Sequence, residues 1–137
     1  MTDRRIDAFF YGLFMDVDVL KQNGVEAANI RRAFVPNFAL RIGQRATLIP
    51  SIGARAYGVI MSLSHGDLAR LYGTPGLEHY RPESVLAQTQ DGTATAALCY
   101  NLLESPGPDE RNPEYAARLR RVLEKLDFPV EYVASVC

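Results

Sequence analysis

At 137 residues, 47% of them apolar, the chain can bury one ordinary hydrophobic core and is too short for two, so a single domain over 1–137 is expected. Its 15 Lys plus Arg nearly cancel 16 Asp plus Glu and are scattered along the chain, which excludes the basic footprint of a nucleic-acid binder. The longest apolar runs, 8–15 and 56–63, are far shorter than the roughly 20 residues of a membrane-spanning helix, and the charged start Asp3, Arg4, Arg5, Asp7 is not a secretory pattern; a soluble, cytoplasmic protein without a membrane partner follows as the expectation.

Residues 6–11 are aromatic-rich and end at Gly12, which predicts a buried strand running into a tight turn. A short helix over 16–22 stops near Gly24. Phe34, Phe38, Leu40 and Ile42 alternate as in a half-buried strand, and Pro36 marks an edge or a bulge. Segments 46–49 and 57–63, around a turn at 50–53, predict a hairpin. Ser64 with Asp67 three residues on opens a helix whose inward face is Leu68 and Leu71 and whose stop is Gly73. Residues 80–88 and 93–102 flank Asp91-Gly92, a strong hairpin signal. After a Pro/Gly-rich loop at 104–111, Asn112-Pro113 caps a helix that aligns Tyr115, Leu119, Val122, Leu123 and Leu126. Pro129 begins a last short segment. Strands followed by appended helices, without βαβ alternation, predict an α+β fold with a mostly antiparallel sheet.

The dinucleotide, P-loop, zincin and nucleophile-elbow motifs are all missing. His65 and His79 have no second ligand at metal-binding spacing, and Cys99 and Cys137 make neither a disulfide framework nor a metal cluster. Neither metal nor cofactor is expected, and Cys99 reads as a small core residue. The informative run is Phe9-Phe10-Tyr11-Gly12-Leu13-Phe14-Met15-Asp16. A strand that turns at Tyr-Gly straight into a helix presents backbone amides able to hold a carboxylate, and Gly12 lets a ligand approach. The plainer alternative has Gly12 ending a strand while Phe14 and Met15 fill the core.

Phe10-Tyr11-Gly12-Leu13-Phe14-Met15 resembles the Tyr-Gly-x-x-Met loop of the gamma-glutamylcyclotransferase and avirulence-induced-gene-like superfamily. In the same order, Ala46-Thr47-Leu48-Ile49-Pro50 with Tyr57-Gly58-Val59-Ile60 resembles two of its strands. Leu68 to Leu71 with Gly76-Leu77 resembles its Leu-x-x-Leu helix and Glu-Gly-Val turn, and Asn112-Pro113-Glu114-Tyr115 with Leu126, Pro129 and Tyr132 resembles its C-terminal signature. The resemblance implies a small β-barrel-like α+β fold whose pocket holds a gamma-glutamyl group. In that pocket a glutamate takes a proton from the α-amine as the amine attacks the γ-carbonyl, giving 5-oxoproline. It also implies ligand contacts for Tyr11, Gly12, Leu13, Phe14, Tyr80, Tyr100 and Tyr115.

On that alignment the glutamate's slot is taken by Pro75, which would line the pocket and cannot accept a proton. Glu78 is the nearest substitute as catalytic base, and Glu83 a more remote one. Two readings stay open: a cyclotransferase relative with a relocated base, and a non-catalytic module holding a small carboxylate-bearing or amino-acid-like ligand.

Overall fold

The aromatic run near the N-terminus is strand β1 (Arg5–Phe10), in a computed structural model that describes residues 4–137; residues 1–3, with Asp3 of the charged start, lie outside the described range. The other strands are β2 (Ala28–Ile42), β3 (Ala46–Ser64), β4 (Tyr80–Thr89) and β5 (Ala94–Leu102). They close into a barrel in the order β1-β3-β2-β4-β5. Neighbours run antiparallel except at the closing seam, where β5 meets β1 in parallel through Ala8 opposite Leu98. Helices α1 (Val17–Gln22), α2 (His65–Tyr72), α3 (Pro113–Lys125) and α4 (Val130–Ser135) complete the α+β architecture read from the sequence.

The expected hairpin with a turn at 50–53 is corrected. Residues 46–64 form one strand, and its hairpin partner is β2, with Leu40 opposite Leu48 and Ile42 opposite Ala46. The connecting turn is at Gly43–Arg45, closed by the Gly43 N–H donating to the Arg45 carbonyl at 3.0 Å. Pro50 to Gly53 belong to a bulge: Pro36 pairs with Arg55 but Phe38 with Pro50, so the extra β3 residues stand opposite Asn37. Gly53 and Asn37 both have positive φ, 84° and 65°, and the Asn37 side chain accepts the Gly53 N–H at 3.0 Å. Turn chemistry here serves a register change within a ladder, and Pro36 sits at it. Strand β2 also starts earlier than expected, at Ala28, because a register break and Asn29 at φ 51° disrupt the period-two pattern of its first residues.

The β4–β5 hairpin turns at Asp91-Gly92 as expected, with Gly92 at φ 84°. Ser64 caps α2 by accepting the Asp67 N–H at 3.0 Å, and Asn112 caps α3 by accepting the Tyr115 N–H at 3.0 Å; a cap of this kind contributes about 1 kcal/mol. The core contains Phe9, Met15, Ile60, Met61, Leu63 and Leu71, with Leu119 and Leu123 of α3 packed onto it. His65 and His79 are exposed, and among the described residues no His, Cys, Asp and Glu group is arranged to hold a metal. Among the same residues no helix is long and apolar enough to cross a membrane.

Cys99 is fully buried in β5, and burial, aided by Glu83, pushes its thiol up to about 12, whereas Cys137 is exposed. The native protein should therefore release one equivalent of thionitrobenzoate promptly from a disulfide reagent, and a second only on unfolding. Prompt release of both would contradict the burial of Cys99.

Candidate functional site

Strand β1 ends at Phe10, and the chain leaves the barrel through Tyr11 and Gly12 into one 3-10 turn over Leu13–Met15. The turn is closed by the Met15 N–H donating to the Gly12 carbonyl at 3.0 Å and anchored by Met15, which is buried in the core. Phe14 packs edge-on against Phe10 and Tyr72, with ring centroids 6.0 and 5.8 Å apart. At this end of the barrel β3 and β4 begin, α2 ends, and the first turn of α3 swings Tyr115 across. These elements enclose a cavity of about 250 Å³, lined by residues 10–14 and 44–46 together with Tyr72, Leu77, Tyr80 and Tyr115.

Tyr11, Gly12, Leu13, Phe14, Tyr80 and Tyr115, all named from the sequence, come together in this wall. Tyr100 stands behind it, its ring stacked on Tyr72 at 3.7 Å and 7°. Tyr11 donates its hydroxyl hydrogen to the Tyr100 carbonyl at 2.7 Å, and Tyr80 donates to the Ala46 carbonyl. Among the described residues the Tyr72 and Tyr115 hydroxyls have no acceptor, and both residues line the cavity. Burial pushes the phenols of Tyr11, Tyr72, Tyr80 and Tyr115 above their ordinary value, so all are neutral donors at neutral pH.

The expected acid lies elsewhere. Glu78 is exposed and does not line the cavity; its carboxylate turns back to accept the Gly76 N–H at 3.0 Å, which holds its pKa below the ordinary value. Pro75, expected as a lining residue, is exposed outside the wall, because Gly76 at φ 96° reverses the chain and directs Leu77 inward instead. Glu83 is held by the Asn101 amide at 2.8 Å, away from the cavity. The loop at 104–111 does not line the cavity. Arg41 donates to the Gly107 carbonyl at 2.8 Å, and Glu110 accepts the Gln44 N–H at 3.3 Å, which ties the loop to the β2–β3 turn.

Sequence reasoning missed Tyr72 and Arg45. Tyr72 is four residues after Leu68, a spacing that places it on the same helix face, so its signal was present. Arg45 lies in the β2–β3 turn and carried none. Among the described residues it is the one charged residue of the cavity wall and its guanidinium forms no hydrogen bond or ion pair, though it is near enough to Glu78 to help hold that carboxylate's pKa down. It reaches the mouth beside Gly76, where a side-chain carbon would stand 3.5 Å from Nη2.

The grip of the loop amides on a carboxylate is partly pre-empted by Tyr115. Its hydroxyl lies against Gly12, where a methyl group would stand 2.5 Å away, and the Leu13 amide partly offsets the effect of burial on its pKa. Gly12→Ala should therefore cost about 1–3 kcal/mol, the usual range for overpacking. Adding Tyr115→Phe, which removes the clashing oxygen, should restore most of the loss in a thermal melt. Equal melting of Gly12→Ala and wild type would contradict this contact.

No protein-family model and no curated protein sequence matches the chain. Solved structures do match it. One described as a gamma-glutamyl cyclotransferase aligns over 97% of this chain and 86% of its own, with a TM-score of 0.77 and 20% identity. An uncharacterised protein from Homo sapiens aligns over 96% and 86%, at 0.77 and 19%. An AIG2-like protein from Mus musculus aligns over 81% and 90%, at 0.55 and 17%. At such identities the likeness is one of architecture, and the chain carries the gamma-glutamylcyclotransferase-like fold.

Proposed function

We propose that the chain holds a small carboxylate-bearing molecule in this cavity, with the carboxylate paired to Arg45, and that it does not cyclise gamma-glutamyl amines by glutamate base catalysis. The observation behind this reading is the composition of the wall, which among the described residues has one cation, free of any hydrogen bond or ion pair although the Glu78 carboxylate outside the wall lies within its field, and no carboxylate. Cyclisation needs a base beside the substrate amine, because an ammonium ion is not a nucleophile. A phenol whose pKa lies above its ordinary value is protonated at neutral pH and is a poor substitute. Two Xaa-Gly pairs lie between Leu68 and β4, namely Tyr72-Gly73 and Pro75-Gly76, and only the first has its side chain on the cavity. A phenol thus stands where an acid at the end of α2 would reach the ligand.

The fold shared with a structure described as a gamma-glutamyl cyclotransferase agrees with a small-molecule pocket, while the chemistry performed there is a property of the residues. Titration calorimetry of short carboxylates against their primary amides tests the reading. The carboxylates should bind and the amides should bind at least tenfold more weakly. Arg45→Gln should remove that preference, since a charge-assisted hydrogen bond is worth about 1.5–3 kcal/mol. Gamma-glutamyl amino acids should release 5-oxoproline no faster than the uncatalysed background. Equal binding of acids and amides would overturn the binding assignment, and turnover by the wild type abolished in Glu78→Gln would restore a relocated base.

A further inference from the structure

The interior of the cavity and its mouth differ in chemistry. Arg45 is exposed, which puts it at the mouth, whereas the rings of Phe10, Phe14, Tyr72 and Tyr115 in the wall are buried or half-buried, and among the described residues the wall has no further charge. An ammonium or carboxylate carried inside would lose hydration worth several kcal/mol and meet no ionic partner. Aromatic faces alone attract cations, but here two hydroxyl hydrogens, on Tyr72 and Tyr115, lack an acceptor among the described residues. Their two neighbours in the wall, Tyr11 and Tyr80, have theirs tied to backbone carbonyls. A neutral acceptor satisfies such donors and a cation does not. At about 250 Å³ the space is below the usual 300–1,000 Å³ of sites for drug-sized ligands, so the buried group is small.

Resting on the carboxylate reading above, we infer that the buried part of the ligand is an uncharged, flat group, an aromatic or conjugated acyl moiety whose oxygen accepts from Tyr72 and Tyr115. The carboxylate stays at the mouth on Arg45. The ligand class is a small acyl- or aryl-substituted carboxylic acid, such as an N-aroyl amino acid, and the zwitterionic head of a gamma-glutamyl compound is excluded from the interior.

Calorimetry on the full chain with four probes tests this. N-benzoylglycine has the proposed form, gamma-glutamylglycine places an ammonium in the head, 4-(trimethylammonio)butanoate offers a quaternary cation to the rings, and N-benzoylglycinamide lacks the carboxylate. N-benzoylglycine should bind at least tenfold tighter than each of the others. Tyr72→Phe and Tyr115→Phe retain the rings and should each weaken it about three- to tenfold, the value of one neutral hydrogen bond, Tyr72→Phe with little change in melting temperature. Binding of either cationic probe as tight as N-benzoylglycine, or no effect of the two phenylalanine variants, would overturn the inference while leaving the carboxylate reading intact. Equal binding of N-benzoylglycine and its amide, unaffected by Arg45→Gln, would instead overturn the carboxylate reading. Failure of all four probes to bind would overturn both.

Discussion

Gly58→Ala is expected to lower the melting temperature by about 10 °C, the shift produced by about 3 kcal/mol in a domain of this size. Gly58 lies in β3 beside the point where β1 pairs for the last time, Phe10 opposite Val59, before the chain departs into the Tyr11 loop. A methyl group at Gly58 would overlap the Phe10 carbonyl oxygen and stand 2.7 Å from Phe9 Cζ. The ring of Phe9 can shift at a cost, but the carbonyl belongs to a strand held on both sides, by β3 and by the short seam to β5. Moving it displaces the root of the loop that lines the cavity, so loss of stability and loss of ligand affinity should appear together. Calorimetric melting and ligand titration of the same variant check this. A melt within 2 °C of wild type would show that β1 accommodates the methyl group freely.

Legibility of this fold in its sequence tracked how local each determinant is. The β4–β5 hairpin was readable because Asp91-Gly92 fixes its turn within two residues, and α3 was readable because Asn112-Pro113 and the Leu119, Val122, Leu123 spacing are local. The long pairing of β2 with β3 was not. Pro50 and Gly53 are turn residues by composition, and only the partner strand, with Asn37 at its own positive φ, determines that they form a bulge. In the site, the Tyr11 to Phe14 loop and Tyr115 were visible through their motif. Pro75 and Glu78 lie outside the cavity wall because the direction of side chains on either side of Gly76, at positive φ, depends on that reversal and not on residue spacing. Arg45 was invisible for a similar reason: a turn residue reaches a cavity only through the packing of the elements around it.

Tyr72→Glu should invert the ligand preference of the cavity, and it separates the two candidate positions for an acid. Removing the phenol takes away a neutral donor and the ring stacked on Tyr100, which should cost about 0.5–1.5 kcal/mol of stability in addition to the burial of the new group. The new carboxyl would titrate above the ordinary glutamate value of about 4.3, because burial disfavours its charged form. A folded-state pKa raised above the unfolded one makes the variant most stable, relative to wild type, below about pH 4.3, with that stability lost as pH rises through the folded value. Once ionised, the carboxylate gives an ammonium the interior partner it lacks in the wild type. Gamma-glutamylglycine should then bind at least tenfold tighter than to wild type, with a gain that grows with pH, while N-benzoylglycine weakens by a similar factor. Pro75→Glu places its carboxylate on an exposed turn outside the wall and should change neither affinity. Release of 5-oxoproline by Tyr72→Glu and not by Pro75→Glu would show that the end of α2 is where this fold presents a base to its ligand. The reverse pattern would show that the turn after Gly73 closes over the ligand and that Pro75 holds that position.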